Sequence, residues 1–168
     1  MKVNFGINKK SLDSILKKVD RLGGSELLKE IQQANTKSSW YLVKAARNNL
    51  KLNGTDDTGG LRSSIQILDT KGRGLIFETG TELSYSGAIE YGTTGHEPNF
   101  RDLMEWTNRK VNPATDRLWI TTKWIANKIE AKGTEAQPFL APAATETKKK
   151  HAENVANAIN NLTKKISK

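Results

Sequence analysis

The 168-residue chain is 36% hydrophobic, enough for one domain with a real core, since chains of about 150 residues bury about 70% of their unfolded surface. It contains no Cys, which removes disulfides, thiolate nucleophiles and cysteine zinc sites together and fits a cytoplasmic protein; its apolar runs are far shorter than the ~20 residues of a membrane span, and Met1 to Leu12 lacks a signal-peptide apolar region. The net charge of +9 is concentrated at the ends: residues 1–52 hold eleven Lys and Arg against four Asp and Glu, residues 53–142 ten against twelve, and residues 143–168 six against two. This distribution is read first as the solvated faces of amphipathic helices, and second as a surface for nucleic-acid phosphates.

In chain order, Leu12, Ile15, Leu16, Val19 and Leu22 recur at helical spacing up to Gly23 and Gly24. Ser25 offers an N-cap to a second, long basic helix whose stripe is Leu27, Leu28, Ile31, Leu42, Ala45, Ala46 and Leu50, and which ends at Asn53 and Gly54. The period then changes. Ser63 to Leu68 and Leu75 to Glu78 read as a β-hairpin around the turn residues Asp69 to Gly74, and Ala88 to Tyr91 reads as a third strand or a short helix, the bracketing Gly87 and Gly92 favouring the strand. Phe100, Leu103, Met104 and Val111 predict a short helix ending before Pro113, and Leu118, Ile125 and Ile129 another ending at Gly133. The four Trp fall within or near helices. Pro142 fits the first turn of a terminal helix whose apolar face is Ala152, Val155, Ile159, Leu162 and Ile166. The expected fold is one α+β domain over residues 1–168, with a basic helical segment (1–53), sheet and helices (54–142) and a C-terminal helix (143–168). A small, mainly antiparallel sheet packs on the long second helix and the later ones.

No catalytic or metal constellation emerges. His96 and His151 lack the i, i+4 spacing of a two-histidine metal site, and neither lies beside a nucleophile, so both read as ordinary histidines. Asp56, Asp57, Glu78, Glu82, Glu90 and Glu97 would suit a nuclease-like Mg²⁺ site if they converged, but Asp56 and Asp57 read more simply as turn residues. The glycines of TGGL lack the spacing and lysine of a phosphate-binding loop. No enzyme activity, cofactor, small-molecule substrate or membrane partner is expected.

Three phrases stand out: Thr58 to Ile65 (TGGLRSSI), Ala88 to Thr93 (AIEYGT) and Gly133 to Ala143 (GTEAQPFLAPA). Gly59 and Gly60 permit a joint between helix and sheet, with Leu61 and Ile65 anchored inward and Arg62 outward. Alternation in the second phrase would set Glu90 opposite Ile89 and Tyr91, with Glu90 available to a basic neighbour. In the third, Pro138 and Pro142 stiffen a segment that presents Phe139 and Leu140 either to the core or to another subunit.

The order and spacing of these phrases resemble the tail-component, or neck and tail-completion, family of long-tailed double-stranded DNA bacteriophages, over about half of the chain. The family pattern falls on Thr58, Gly59, Leu61, Ser64 and Ile65; on Glu90, Tyr91, Gly92 and Thr93; and on Pro138, Phe139, Leu140, Pro142 and Ala143. The resemblance implies scaffold and interface roles for them in a small α+β virion structural protein without enzymatic activity. It implies assembly in the bacterial host cytoplasm at the neck–tail junction, with copies of itself and neighbouring neck and tail proteins, in a ring that is six-fold by analogy. The alternative is a basic nucleic-acid-binding module that contacts DNA phosphates through the terminal helices.

Overall fold

A computed structural model describes residues 2–5, 24–71 and 74–166. The helix expected between Leu12 and Leu22 lies outside them. The remaining order is β1 (Lys2–Phe5), α1 (Ser25–Leu52), α2 (Gly60–Ser64), β2 (Gln66–Lys71), β3 (Ile76–Gly80), α3 (Ser86–Tyr91), α4 (Phe100–Lys110), a 3₁₀ turn (Thr115–Arg117), α5 (Leu118–Lys132) and α6 (Leu140–Ile166). The fold is α+β, with a small antiparallel sheet packed against the long helix α1.

Helix α1 runs 28 residues, about 42 Å, and buries Ile31, Ala34, Asn35, Ser38, Ser39, Leu42, Val43, Ala46 and Leu50 along one stripe. Its start differs from expectation by one residue. Gly24 is the N-cap, its carbonyl accepting from Leu28 N–H at 3.1 Å, and Ser25 is already helical with its side chain making no cap bond. The end is the expected one: Asn53 N–H returns to Asn49 O at 2.8 Å, and Gly54 takes a left-handed φ of 71°.

The sheet order is β1-β3-β2, and β3 pairs antiparallel with both neighbours, Phe5 facing Phe77 and Gln66 facing Gly80. A hairpin forms as expected, but its register differs: Asp69, Thr70 and Lys71, read as turn residues, belong to β2 and pair with Glu78, Phe77 and Ile76, while Gln66 and Ile67 pair with Gly80 and Thr79. Ser63 and Ser64 close α2 instead of opening the strand, because Gly59 at φ 78° starts a helical turn and their hydroxyls bond back to Gly60 O and Leu61 O. The register slips between Ile67 and Asp69, a bulge that places an extra residue on β2. On β3, Phe77 and Thr79 are buried while Ile76 and Glu78 are half-buried, the period-two signature of a strand with one inward face.

The main core joins Leu42, Val43, Ala46 and Leu50 of α1 to Leu61, Ile65, Phe139, Leu140 and Ala143, with Ile67, Leu83 and Ile89 packed against it. Ile31 and Leu75 form a second cluster with Leu27, Leu28 and Ile76. Helix α6 makes its largest contact with α1, on a face different from the expected one. Ala143, Thr147 and Ala158 are buried and His151, Asn154 and Val155 half-buried, whereas Ala152 and Ile159 are exposed; the side chains of Leu162 and Ile166 lie outside the description. The helices meet through small and polar groups, including Asn154 Nδ2 donating to Ser38 Oγ at 3.1 Å, so apolar periodicity alone placed Ala152 and Ile159 on the wrong side while Val155 borders the contact.

Helices α4 and α5 keep the expected limits. Asn99 caps α4, its Oδ1 accepting from Arg101 and Asp102 N–H at 3.1 and 3.3 Å, and Gly133 terminates α5. The two pack on each other as a hairpin whose buried residues are Thr107 and Thr122, each hydroxyl donating at 2.8 Å to the carbonyl four residues earlier.

Candidate assembly surface and its Glu90 latch

The segment around Glu90 is the short helix, α3, and not the strand that its bracketing glycines favoured. Ser86 and Glu90 are buried and Ile89 is half-buried, an i, i+3, i+4 pattern that belongs to a helical turn. Glu90 is 2% exposed and meets backbone amides, not a basic neighbour. Its Oε2 accepts from Phe139 N–H at 2.8 Å and Leu140 N–H at 2.9 Å, and its Oε1 from Ala141 N–H at 2.8 Å. These are amides at the start of α6, which a helix cannot satisfy internally, and a negative group there also complements the helix dipole. Pro142, the next residue, has no N–H to satisfy. One side chain therefore closes the N-terminus of a 27-residue helix from 49 residues away in sequence.

Around this latch the second and third phrases lie side by side. Gln137 N–H donates to Ile89 O at 2.8 Å, Thr93 N–H to Thr134 O at 3.0 Å, and Thr134 N–H to Thr93 Oγ1 at 3.0 Å. The approach is close enough to demand glycine at two places. Gly92 (φ 73°, ψ −175°) and Gly133 (φ 75°, ψ −159°) occupy a region open only to glycine, and a Cβ on Gly133 would collide with Thr93 O. The first phrase joins through the core: Leu61 and Ile65 pack in the same cluster as Phe139, Leu140 and Ala143, while Ser64 Oγ and Thr81 Oγ1 share a hydrogen bond at 2.7 Å. Phe139 and Leu140 are both fully buried, so they are core anchors within the chain and not a contact strip. Among the singled-out residues, the ones left at the surface are Thr58, Tyr91, Pro138 and Pro142.

The carboxylates disperse into structural roles. Asp56 pairs with Arg62 at 2.8 Å, and Asp57 pairs with Arg109 at 2.8 Å. The Arg109 hydrogen bond holds the Asp57 carboxyl below its usual range. Glu82 and Glu97 are exposed, and among the described residues no three His, Asp or Glu converge as possible metal ligands. His96 lies in an exposed loop with Nδ1 3.0 Å from Thr94 O. His151 is half-buried on α6, and burial pushes its pKa down.

The α4–α5 hairpin is fastened to this body at both ends. Arg109 and Lys110 of α4 reach Asp57 Oδ2 and Asp56 O at 2.8 and 3.0 Å, while His96 N–H reaches Ile129 O near the end of α5 at 3.4 Å. Helix α5 turns Leu118, Thr122, Ile125 and Ile129 inward, all buried or half-buried, yet its opposite side is also apolar. Trp119 is 55% exposed, Ile120 64% and Trp124 65%. Lys123 lies over the Trp119 ring at 4.9 Å and Lys128 over Trp124 at 5.7 Å, so the lysines border the aromatic surface without covering it. A helix that is apolar on both sides belongs in an interior, and this one has solvent on one of them. The three side chains together leave on the order of 400 Å² in water, comparable to the largest apolar patch of a typical monomer, which is often a functional surface. This surface escaped the periodicity reading, which took only Leu118, Ile125 and Ile129. The available signal was that Trp119, Ile120 and Trp124 fill the other side of the same helix.

Comparison of the chain with models of protein families, with curated proteins and with solved structures finds no match.

Proposed function

We propose that the chain is a structural protein of a phage or prophage virion, completing the tail or joining it to the head by protein–protein assembly at the neck–tail junction. The observation that carries the assembly role is the exposed Trp119, Ile120 and Trp124 surface of α5. Burying on the order of 400 Å² of apolar area contributes about 10 kcal/mol gross, against an association cost of about 4–15 kcal/mol. The patch is about half of one side of a standard interface, so it can form the centre of a contact whose rim is polar. The latch supports this reading mechanically: Glu90 and the Thr93–Thr134 contact tie α3, the end of α5 and the start of α6 into one unit, which holds the aromatic helix rigidly for docking. The virion and its neck come from the resemblance of the three phrases. A contact between this face and a different face of the next copy would close a ring under rotational symmetry, with neighbouring neck and tail proteins on the ring's two sides. Purified particles of the virus encoding the chain, probed with an antibody against it, should carry label between head and tail. Mature particles without the chain would refute the assignment.

A further inference from the structure

We propose that the groove between α1, α2 and α6 binds the phosphate backbone of double-stranded nucleic acid. The groove encloses about 700 Å³ and is lined by Lys44, Arg47 and Lys51 of α1, Arg62 of α2, and Lys150 and Glu146 of α6. Among the described residues, five cations face one carboxylate. Lys150 lies 3.6 Å from Glu146, and Arg62 is paired with Asp56 outside the groove, but Arg47 is held by carbonyls, its Nη2 donating to Ile65 O at 2.8 Å and to Ser63 O at 3.4 Å. Those bonds fix the guanidinium without neutralising it. Lys44 and Lys51, both exposed, flank it along α1. The seven-residue interval between them spans about 10 Å, close to the axial rise of three nucleotides of one strand, so the row suits a polyanion better than a single phosphate.

The chemistry favours a duplex over a single strand. Single-strand sites stack bases on open aromatic faces, and among the described residues the one aromatic lining this groove, Tyr41, has the Lys150 ammonium over its ring at 5.4 Å. What remains is charge without a stacking platform, which reads backbone and not base. The proposal stands apart from the assembly role, because it uses α1 and α6 and leaves the α5 surface untouched.

The test is binding of the full chain to a fluorescent duplex of random sequence, measured across 50–200 mM salt. The unaltered chain should bind in the micromolar range at low salt, with affinity falling linearly on a log–log plot. The double variant Lys44→Glu/Lys51→Glu should weaken binding more than tenfold and reduce the salt slope by about 2, since each lost phosphate contact removes about 0.9. Lys44→Gln/Lys51→Gln should weaken it less and flatten the slope similarly, with an unchanged melting curve showing that the fold survives. The control Lys29→Glu/Lys132→Glu, at exposed positions near the start of α1 and the end of α5 and outside the groove, makes the same change in net charge and should shift affinity no more than threefold. Equal weakening by groove and control variants would overturn the site. So would absence of duplex binding at 50 mM salt, or competition by poly-glutamate as strong as by duplex of equal charge, which would make the groove a dock for an acidic protein segment.

Discussion

Replacing Glu90 by alanine strands three N–H groups at a buried helix start. At about 1–2 kcal/mol for each charge-assisted bond, Glu90→Ala should cost about 3–5 kcal/mol in urea unfolding at neutral pH. Glu90→Gln keeps one acceptor oxygen and should fall between. A loss under 1 kcal/mol for Glu90→Ala would mean that water or relaxation replaces the latch. Phe139→Ala belongs to the same scale of about 3–5 kcal/mol, because full burial makes it a cavity-forming change. His151 contributes in the opposite sense to a paired group: burial lowers its folded pKa below 6.5, so the unfolded chain binds the proton more tightly. The stability it contributes is fully present above pH 6.5 and is lost as pH falls from there toward the folded value. Melting temperature should therefore drop between pH 7.5 and 5, and His151→Gln should flatten that drop. An identical pH dependence in the variant would remove His151 as its source.

Elements are held in place here by a few close backbone approaches, and glycine exchange measures them. Gly133→Ala should cost several kcal/mol and loosen the end of α5, since it adds a Cβ against Thr93 O in a glycine-only conformation. Gly54→Ala shares the positive φ but faces open space, so its cost should stay near the 1–2 kcal/mol of left-handed strain. Similar costs at both sites in thermal unfolding would show that the Thr93–Thr134 contact is soft. The elements legible in the sequence were those whose signals are local. Asn53–Gly54 and Gly133 stop α1 and α5, Pro113 follows α4, and a hairpin forms after α2, although its register sets Ile76, Phe77 and Glu78 against Lys71, Thr70 and Asp69 and not against the SIQIL residues. The misread ones depend on distant partners. Ala88–Tyr91 favoured a strand over a short helix because Gly87 and Gly92 bracket it, and the helix makes sense only once Glu90 is seen to serve amides 49 residues away. Helix α6 buries Ala143, Thr147 and Ala158 because α1 offers Ser38, Ala46 and other small groups across from it, which no count of large apolar residues along α6 could reveal.

At the scale of the whole molecule, the three phrases do in the fold what short, conformationally special segments do well: they fasten. Leu61, Ile65, Phe139, Leu140 and Ala143 share one cluster, and Glu90 ties the second phrase to the third. The residues singled out for scaffold and interface roles thus fall mostly in the scaffold, and the candidate interface lies on α5, where Trp119, Ile120 and Trp124 face solvent. The central claim is that this surface serves assembly and not folding. It is tested most directly by complementation with Trp119→Ser/Trp124→Ser in bacteria producing the virus that lacks its own copy of the gene, the purified variant being melted in parallel. The variant should melt within a few degrees of the unaltered chain, because both rings are already more than half in water, yet leave heads and tails unjoined and lower the yield of infectious particles at least tenfold. A normally folded variant that gives a full yield of joined particles would contradict the account.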